Sequence, residues 1–550
     1  MRYTAKLIRL FKERQKKRRT STDARQHEEE ILQLLSSKLQ KNLAALRATF
    51  EDSSDLLIRE FSFGTNKDKE VKAALIFLDG LTNPTIINDS IIKPLMHDNH
   101  LLYEEEASDL SDLDLIRNRL LSVGVVKTIY TPNEVIEACL SGNAILMTDG
   151  FCQALDIGAK GGKERAVAEP VSETSVRGPR EGFTENLRTN TAMIRRKIKD
   201  PSLKIRSAVI GARTHTQVNL LYIDGIVDPD LVDEVERRLK KIDTDAILAT
   251  GYVEQYIEDN PYTPFPVIWC SEKPDAVAGK LLEGRVAVAV DGTPFVMTMP
   301  MLFIENFQTA EDYISRSHYA TSMRILRLIA FTISLFAPAL YIAFTTFHQE
   351  LIPTTLLFTT AASSEGIPFP APVEMGIMML IFEILREAGV RMPRPIGQTI
   401  SIVGALVMGE AAVQAGIVGA PVVIVVAITA VSSFAIPFLM DAVSIIRWFL
   451  LILASTMGNL GITIGVFILL IHLSSLRSFG AHYLAPLAPF QRRDLKDTAV
   501  RAPLWAMHTR PRATNPQDLK RQRSNPPRNP SSSEKATGVR NHDKEQQYDP

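Results

Sequence analysis

The sequence predicts a duplicated α/β domain of soluble character followed by an all-α polytopic membrane domain. The first membrane-length segment is LIAFTISLFAPALYIAFTTF at 328–347, which follows more than three hundred residues of soluble character. As a helix, these twenty uncharged residues cover roughly 30 Å, the thickness of the hydrocarbon core of a bilayer. Ahead of them, two stretches carry the same landmarks in the same order, which indicates two related subdomains.

The bulk composition averages over this division. The 550 residues carry 62 basic and 62 acidic side chains, but the apolar residues concentrate between 328 and 473. The basic N-terminus lacks the apolar stretch of a signal peptide, so we expect the soluble domain on the cytoplasmic side. The three cysteines form no C-x-x-C pair and have no histidine cluster beside them. This pattern predicts buried, reduced thiols and no metal or cofactor.

Residues 1–51 form the first predicted segment, a basic arm followed by a helix. Nine of the first twenty residues are Lys or Arg, and HEEEILQLLSSKLQKNLAALRATF then shows helical apolar spacing. A basic arm of this kind is either solvated or suited to contact with anionic lipid or nucleic acid. We expect no nucleic-acid partner.

The repeated landmarks begin with a strand, an Asp-Gly turn and a helix opened by proline. They occur as KAALIFLDGLTNPTIINDSI at 72–91 and as VNLLYIDGIVDPDLVDEVE at 218–236. A helix, a glycine cap, a strand and a second Asp-Gly pair follow with identical spacing, marked by Pro132, Gly142, Asp149 and Gly150 in one copy and by Pro274, Gly284, Asp291 and Gly292 in the other. These matches predict α/β subdomains at 52–160 and 200–310, with the Asp-Gly pairs as turns rather than catalytic or metal sites.

An ordered connector is predicted at 161–199, dense in glycine, proline and charges of both signs. Its Glu169, Glu173, Arg177 and Arg180 either clasp a neighbouring subunit or domain, since arginine offers forked donors to carboxylates, or form local salt bridges. Its GGK lacks the spacing of a phosphate-binding loop, and the sequence shows no motif of nucleophile, base and orienting group. We therefore expect no enzyme.

The transmembrane domain is predicted at 320–475. Three arginines between 316 and 327 precede the first span and put its start on the cytoplasmic face by the positive-inside rule. Four prolines between Pro353 and Pro372 then exclude a continuous lipid-facing helix. This stretch has to be buried in protein or line water.

The next segment, 373–389, is amphipathic and holds Glu374, Glu383 and Glu387. Three interpretations stay open. The segment is an interfacial helix, a broken or re-entrant segment, or a helix that lines an aqueous lumen when several subunits assemble.

Further spans are predicted as a hairpin at 397–416 and 420–440 and a last helix at 448–471. Glu410 is a functional candidate, because a carboxylate within the bilayer has to face protein or water; a hydrogen-bonded packing role is the alternative. The count is four spans, or five if 373–389 crosses. The two counts put the C-terminus on opposite faces of the membrane.

Two features surround the last predicted helix. Asp441 and Arg447 are six residues apart and are expected to pair at an interface. Residues 476–550 end in a Pro- and Arg-rich tail that is expected to be disordered.

Several ordered segments of the chain point to one family. They include EPVSETSVRGPREGFTENLRTN, GRVAVAVDGTPFV, FHQELIPTTL, GIPFPAPVE and LREAGVRMPRPIGQTISIVG. Over about residues 55–505, the chain resembles the A-subunit family of GerA-type spore germinant receptors. The resemblance implies a multi-pass protein of the spore inner membrane that acts with a transporter-like B subunit and a lipoprotein C subunit. It also implies a homo-oligomer of A subunits, expected to be a pentamer, that forms a ligand-gated channel for monovalent cations.

Within such a channel, we select candidate pore or gate residues by chemistry and position: Glu365, Ile367, Glu374, Glu383 and Glu410. The acids would concentrate cations near the path, and Ile367, just before Pro368, would form an apolar constriction. Two alternatives stay open. One is an accessory A-type subunit of a germination-amplifying channel, and the other is a component of a secondary transporter.

Overall fold

The structure is a computed structural model that describes residues 34–51, 53–63, 71–97, 113, 116–117, 121–161, 170, 173, 177–391 and 409–522. The chain divides into two compact units. The first holds the described residues up to Leu302 with Leu476–Tyr483 and Thr514–Gln517, and the second holds the remainder.

The first unit contains two five-stranded antiparallel sheets of the same topology. The first sheet has the order β1-β2-β4-β5-β3 and is built from β1 (Leu56–Phe63), β2 (Val71–Leu78), β3 (Val126–Ile129), β4 (Ala144–Thr148) and β5 (Ala154–Ile157). The second has the order β6-β7-β9-β10-β8 and is built from β6 (Leu203–Ile210), β7 (Thr216–Ile223), β8 (Trp269–Ser271), β9 (Val286–Val290) and β10 (Val296–Met299). The identical order confirms the predicted pair of related α/β subdomains.

Helices cover these sheets. They are α1 (Leu39–Thr49), α2 (Lys93–His97, continuing the π-helical turn Ile86–Ile92), α3 (Pro132–Leu140), α4 (Leu187–Lys197), α5 (Pro229–Lys240), α6 (Thr250–Ile257) and α7 (Pro274–Leu281). Strands β4 and β9 are buried along their whole length, and this explains their continuous apolar sequences.

The second Asp-Gly pair of each copy is a turn that also caps a helix. The carboxylate of Asp149 accepts a hydrogen bond from the Leu39 N–H at 2.8 Å, and that of Asp291 accepts one from the Leu187 N–H at 3.0 Å. The glycine that follows has a positive φ in both turns, 93° and 88°. The turn interpretation is therefore confirmed, and each aspartate satisfies one free N–H at the first turn of α1 or α4.

The repeat begins earlier than the sequence indicates. Leu39, Leu43 and Leu46 of α1 belong to a core that includes strands of the first sheet. Likewise, α4 packs into the core of the second sheet, although it lies within the expected connector. Both helices bury apolar faces against their own subdomain, and this places them with the sheets that follow them in sequence.

The C-terminal segment is ordered well beyond Ser475. Strands β11 (Arg477–Ser478) and β12 (Ala481–His482) form a short hairpin, and the Ser478 hydroxyl donates to the Val267 carbonyl at 2.7 Å. Further along, the Gln517 N–H donates to the Ile226 carbonyl at 2.9 Å. Residues 476–483 and 514–517 thus belong to the first unit. The rest of the predicted tail and of the basic arm lies outside the described residues.

The second unit is helical. Its helices are α8 (Ala310–Ile314), α9 (Ser317–Ile342, continuing as a π-helix through Ala343–Phe347), α10 (Thr354–Ser364), α11 (Ala371–Arg391), α12 (Ala420–Phe434), α13 (Met440–Met457) and α14 (Asn459–Ser475). Short 3-10 turns lie at Phe303–Phe307, Gln349–Leu351, Pro437–Leu439, Asp494–Lys496, Leu504–Ala506 and Arg512–Thr514. Within the described part, two runs are long and apolar enough to cross a membrane, Ser317–Phe347 and Pro437–Met457.

The predicted last span at 448–471 is wrong as a single helix. The chain breaks at Gly458, which has a φ of 60°, and α14 folds back along α13. Two contacts show that the helices are antiparallel, because the later residue of α14 contacts the earlier residue of α13. A Cβ on Gly461 would lie 2.2 Å from the Leu453 carbonyl oxygen, and one on Gly465 would lie 2.4 Å from a Leu450 methyl group. Glycines at these two positions let the helices pack this closely.

Other contacts set the directions of the remaining helices. Helix α9 runs parallel to α13, as two contacts indicate. Ser334 contacts Arg447, and further toward the C-terminus of both segments Phe347 lies against Gly458. Helices α11 and α12 run parallel to each other and antiparallel to α13, as four contacts indicate: Gly376 with Trp448, Glu383 with Ser444, Gly419 with Glu374, and Phe382 with Phe434.

A buried ionic cluster fixes the start of α9. Arg324 is 1% exposed and lies 2.9 Å from Asp312 and 2.7 Å from Asp497, and Arg327 also lies 2.9 Å from Asp312. Burial raises the pKa of Asp312, but the two guanidinium groups outweigh it and hold the pKa below its usual value. The three predicted positive-inside arginines therefore include two that have a structural role.

The cysteines only partly follow the prediction. All three are free thiols: Cys139 is buried, Cys270 is half-buried and Cys152 is exposed. Burial raises the pKa of Cys139 to about 12, which leaves it a protonated thiol. The prediction of a buried thiol is wrong for Cys152, which follows the exposed turn after β4.

Candidate functional site

The Pro-rich stretch of the second unit contains a short helix, α10, and an irregular segment after it. No side chain of α10 is buried, although the helix has an apolar composition with Leu356 and Phe358 exposed. Its threonine and serine hydroxyls bond back to carbonyls one turn earlier, as Thr359 does to Thr355 at 2.8 Å. The predicted interruption of the helix is found after Ser364, where Gly366 has a φ of 90°.

Glu365 and Ile367 lie in the segment between α10 and α11. Glu365 is exposed and ends α10, and Ile367 is half-buried. A Cβ on Gly419 would lie 3.5 Å from Ile367, so the Ile367 side chain is packed beside the start of α12. Of the candidate pore residues in this region, Glu365 has the exposure that a water-lined path requires.

Glu374 has a different environment from the one expected of a pore acid. The residue is only 3% exposed, and its carboxylate accepts a hydrogen bond from the Gly419 N–H at 2.8 Å. Gly419 is the residue before the first turn of α12, where a negative charge is favoured by the helix dipole. In this conformation Glu374 caps a helix and faces protein.

Glu383 belongs to a polar cluster in the middle of the helices. Its carboxylate accepts a hydrogen bond from Ser444 at 2.5 Å, lies 2.7 Å from Arg386 and lies 3.9 Å from Arg447. The partner of Arg447 is thus Glu383, and the expected pairing with Asp441 is wrong. Two guanidinium groups around one carboxylate leave the cluster with a net positive charge.

Arg447 is the least satisfied member of this cluster. It is 1% exposed, its Nη2 donates to Ser334 at 3.3 Å, and its Nε and Nη1 find no hydrogen-bond partner among the described residues. A buried charge of this kind is costly, and the nearby carboxylate offsets part of the cost. Sequence reasoning missed this cluster because Glu383 and Arg447 are far apart in sequence.

Glu410 is exposed on the short helical run 409–414. The Gln414 amide donates to its carboxylate at 3.2 Å, as expected for residues one turn apart. Its position leaves both sequence interpretations available. The first half of the predicted span at 397–416 lies outside the described residues.

Among the four predicted clasp residues, Glu173 contacts the second subdomain. Its carboxylate accepts a hydrogen bond from the Ser271 hydroxyl at 2.9 Å, so the connector is attached to β8 of the second subdomain. Arg177 and Arg180 are exposed, and Glu169 lies outside the described residues. The geometry fits a clasp between connector and subdomain.

The Glu173 contact predicts a pH dependence. Burial raises the pKa of Glu173 above its ordinary value of 4.5, against the lowering effects of Ser271 and Lys273. For an acid with a raised pKa, the contribution to stability is full below the ordinary value and is lost as the pH rises through the folded-state pKa. Glu173→Gln removes the charge and keeps an acceptor, so we expect a higher melting temperature than wild type at pH 7 and a smaller difference at pH 5.

Thermal unfolding of the purified full chain at both pH values measures this effect. Glu181→Gln is the matched control, because Glu181 is in the same connector, exposed, and 3.4 Å from Lys197. An equal difference from wild type at pH 5 and pH 7 for Glu173→Gln would contradict the prediction.

Comparison with known proteins identifies the family. The family model for the Bacillus/Clostridium GerA spore germination protein matches residues 44–513. The chain belongs to this GerA family. Among its relatives, spore germination protein KA of Bacillus subtilis is 47% identical over 90% of both chains. An uncharacterized membrane protein of the same organism, YfkQ, is 44% identical over 87% of this chain and 91% of its own.

A further curated relative and one solved structure are also similar to this chain. Spore germination protein GerLA of Bacillus cereus is 36% identical over 87% of this chain and 96% of its own. A crystal structure of the N-terminal domain of the A subunit of the Bacillus megaterium spore germinant receptor GerK3 is 38% identical, covers 49% of this chain and 98% of that chain, and has a TM-score of 0.39. GerA membership confirms the resemblance found in the sequence and the expectation that this membrane protein is not an enzyme.

Proposed function

We propose that this GerA-family chain is the A subunit of a spore germinant receptor and that its copies assemble into a ligand-gated channel for monovalent cations. The observation that carries the proposal is α10. This helix is apolar with a row of hydroxyl groups, it has no buried side chain in a single chain, and it ends at the exposed Glu365. A helix with this composition requires neighbours, and copies around a polar path would supply them.

The proposed path places Glu365 at a mouth and Ile367 at an apolar constriction. An exposed carboxylate ring attracts cations, and an apolar ring gates by excluding water. Glu374 and Glu383 are not part of this lining, because one caps α12 and the other is offset by two arginines. Glu410 is retained as a second candidate, since its carboxylate is exposed.

The directions of the helices support an even number of crossings. Helices α9 and α13 run one way and α11, α12 and α14 run the other, so the chain returns once more between α11 and α12, where a span is predicted at 397–416. Six crossings would result, rather than four or five. An even number of crossings leaves both ends of the helical run on one side of the membrane. We therefore propose that the N-terminal domain and the C-terminal segment share one side, the cytoplasmic side of the spore inner membrane.

The partners in this proposal are those implied by the family: a transporter-like B subunit that holds the nutrient, a lipoprotein C subunit, and membrane lipid. The chain contributes the channel and the duplicated domain. Assembly of several copies, five in the expected form, would surround α10 with protein.

A conductance measurement tests the proposal. Glu365→Gln in receptor reconstituted into planar bilayers is expected to lower single-channel cation conductance and the cation-to-anion permeability ratio, because it removes one charge per subunit from the mouth. Glu387→Gln is the matched control, since Glu387 is an exposed acid engaged with Arg391 at the other end of α11. Unchanged conductance and selectivity in Glu365→Gln would remove Glu365 from the path, and absence of any conductance in wild-type receptor would contradict the channel.

A further inference from the structure

We propose that a second copy of this chain docks onto α1, and that it does so by repeating between chains the contact that joins the two subdomains within one chain. The inference rests on the proposed homo-oligomer and names its contact surface. The internal contact joins α4 to the turn after β2. Helix α1 corresponds to α4 and the turn after β7 corresponds to the turn after β2, and both of these are exposed.

Within the chain, the first subdomain docks on α4 through the turn that follows β2. The Asp79 carboxylate lies 2.8 Å from the Arg188 guanidinium. A Cβ on Gly80 would lie 3.0 Å from the Cβ of Ala192, so a glycine in this turn permits close approach to the helix. One turn further along α4, Arg195 binds Asp55 at 3.0 Å through two nitrogens.

Helix α1 is the counterpart of α4 in the first subdomain. In both helices an asparagine exchanges hydrogen bonds with a hydroxyl residue six positions earlier, Asn42 with Ser36 and Asn190 with Thr184. This register aligns LQKNLAALRAT with LRTNTAMIRRK and pairs Gln40 with Arg188, Ala44 with Ala192, and Arg47 with Arg195. The face that docks in α4 is thus present in α1.

Among the residues that the structure describes, no subdomain packs on this face of α1. Gln40, Ala44 and Arg47 are exposed, with the Arg47 side chain 57% accessible. Gln40 and Arg47 both bond to Glu60 on β1, at 2.9 Å each. Exposed pairs of this kind contribute little to stability, so these side chains can release Glu60 and bind a partner protein at little cost.

The turn after β7 is the counterpart of the turn after β2. The Asp79 N–H donates at 2.8 Å to the carbonyl of Asp55, the residue before β1. In the same way, the Asp224 N–H donates at 2.8 Å to the carbonyl of Ser202, the residue before β6. Asp224 and Gly225 are exposed, and a Cβ on Gly225 would meet nothing within 4 Å. The turn of the second subdomain therefore lacks the helix that covers its counterpart.

The two exposed faces also have complementary charge. Lys41 and Arg47 lie on α1, while Asp224 lies in the turn after β7 and Asp200 lies just before β6, next to that turn. When the two subdomains are aligned, Ser202 corresponds to Asp55 and Asp200 corresponds to Ser53. The second subdomain therefore also offers an acidic residue to an incoming arginine, but two residues earlier in the sequence. Within the chain, the Ser54 N–H donates to the Ile205 carbonyl. The residue that corresponds to Ser54 in the second subdomain is Pro201, which has no N–H, so the contact between copies has one hydrogen bond fewer than the contact within the chain.

A contact of this kind is heterologous, because α1 of one copy meets the second subdomain of the next. Each chain then offers one donor face and one acceptor face. Such contacts build rings when the rotation closes, whereas a twofold dimer would use the same face twice. The partner that fits α1 is therefore the β7 turn of another copy.

Cysteine pairs provide the test. In full-length chain carrying Cys152→Ser, we combine Gln40→Cys with Asp224→Cys and treat native membrane vesicles with a short bifunctional thiol reagent. We expect dimers and higher species on denaturing gels with the double variant and monomer with either single variant. Asp79→Cys with Arg188→Cys is the internal control, because that pair lies in the same contact within one chain and is expected to cross-link without a change in mass.

Four outcomes decide the proposal. Loss of the ladder on adding Ala44→Trp, with the internal control still cross-linked, supports it. A chain that is oligomeric on native gels but gives no ladder, while the internal control reacts, overturns this surface and leaves the channel proposal standing. A ladder that appears only after deletion of residues 1–33 also overturns it, because those residues would then occupy α1; a monomer on native gels overturns both proposals.

Discussion

Arg195→Ala is expected to lower the free energy of unfolding of the first unit by about 3–5 kcal/mol, the range for removing one partner of a buried ion pair. Arg195 is 1% exposed and binds Asp55 through two nitrogens at 3.0 Å. The same guanidinium donates to Ser53 at 2.9 Å and to the Leu203 carbonyl at 2.8 Å. Its removal would leave the buried Asp55 carboxylate without its charged partner, with the Ser53 hydroxyl still donating to it, and would take one donor away from the Leu203 carbonyl.

Denaturant unfolding of the full chain carrying Trp448→Phe and Trp505→Phe, followed by the fluorescence of Trp269 in the second subdomain, measures this loss. Arg47→Ala is the matched control, because Arg47 occupies the equivalent position of α1, is exposed and is expected to change stability by less than about 1 kcal/mol. In the double variant Asp55→Leu/Arg195→Met, both charges are absent, and we expect most of the stability to return. Equal effects of Arg195→Ala and Arg47→Ala would contradict the assignment of this ion pair to the subdomain contact.

The elements of the first unit were largely predictable because their signals are local. A glycine with positive φ, a proline at the first turn and a capping residue each act within a few residues, and Pro132 with Gly142 and Pro274 with Gly284 mark the same helix and cap twice. The start of each subdomain was missed because α1 and α4 precede their strands. Their membership depends on packing, which the local pattern does not report.

The polar contacts of the helical unit were less predictable. Hydropathy identifies Glu383 and Arg447 as charges in apolar sequence but does not pair residues that lie on different helices. Asp441, six residues from Arg447, was the nearer choice in sequence, yet on one helix that spacing does not bring two side chains together. The same limitation hid the capping role of Glu374, whose partner Gly419 is 45 residues away.

The break at Gly458 escaped hydropathy for a different reason. An uncharged run of twenty-four residues has the composition of one span whether it is straight or folded in two. The usable signal was the series of glycines in MGNLGITIG, where Gly458 ends one helix and Gly461 and Gly465 face it from the next. Glycines at a spacing of four indicate close helix packing in membranes.

Gly461→Ala is accordingly expected to be the most damaging small substitution in the helical unit. The added Cβ would lie 2.2 Å from the Leu453 carbonyl oxygen, a backbone atom that moves only if α13 and α14 separate. Overpacking usually costs about 1–3 kcal/mol, and a contact with backbone belongs at or above the upper end. Gly465→Ala should cost less, because its added Cβ would meet the flexible end of Leu450 at 2.4 Å.

Gly376→Ala supplies the matched control, since its added Cβ would lie 3.9 Å from Trp448, an ordinary contact, and alanine favours a helix by about 1 kcal/mol over glycine. The melting temperature of the three variants in detergent should therefore fall in the order Gly376→Ala, Gly465→Ala, Gly461→Ala. The yield of folded protein in membranes should follow the same order. Equal melting temperatures for Gly461→Ala and Gly376→Ala would mean that α13 and α14 do not pack as a hairpin. The proposal of six membrane crossings would then lose its support for the last two.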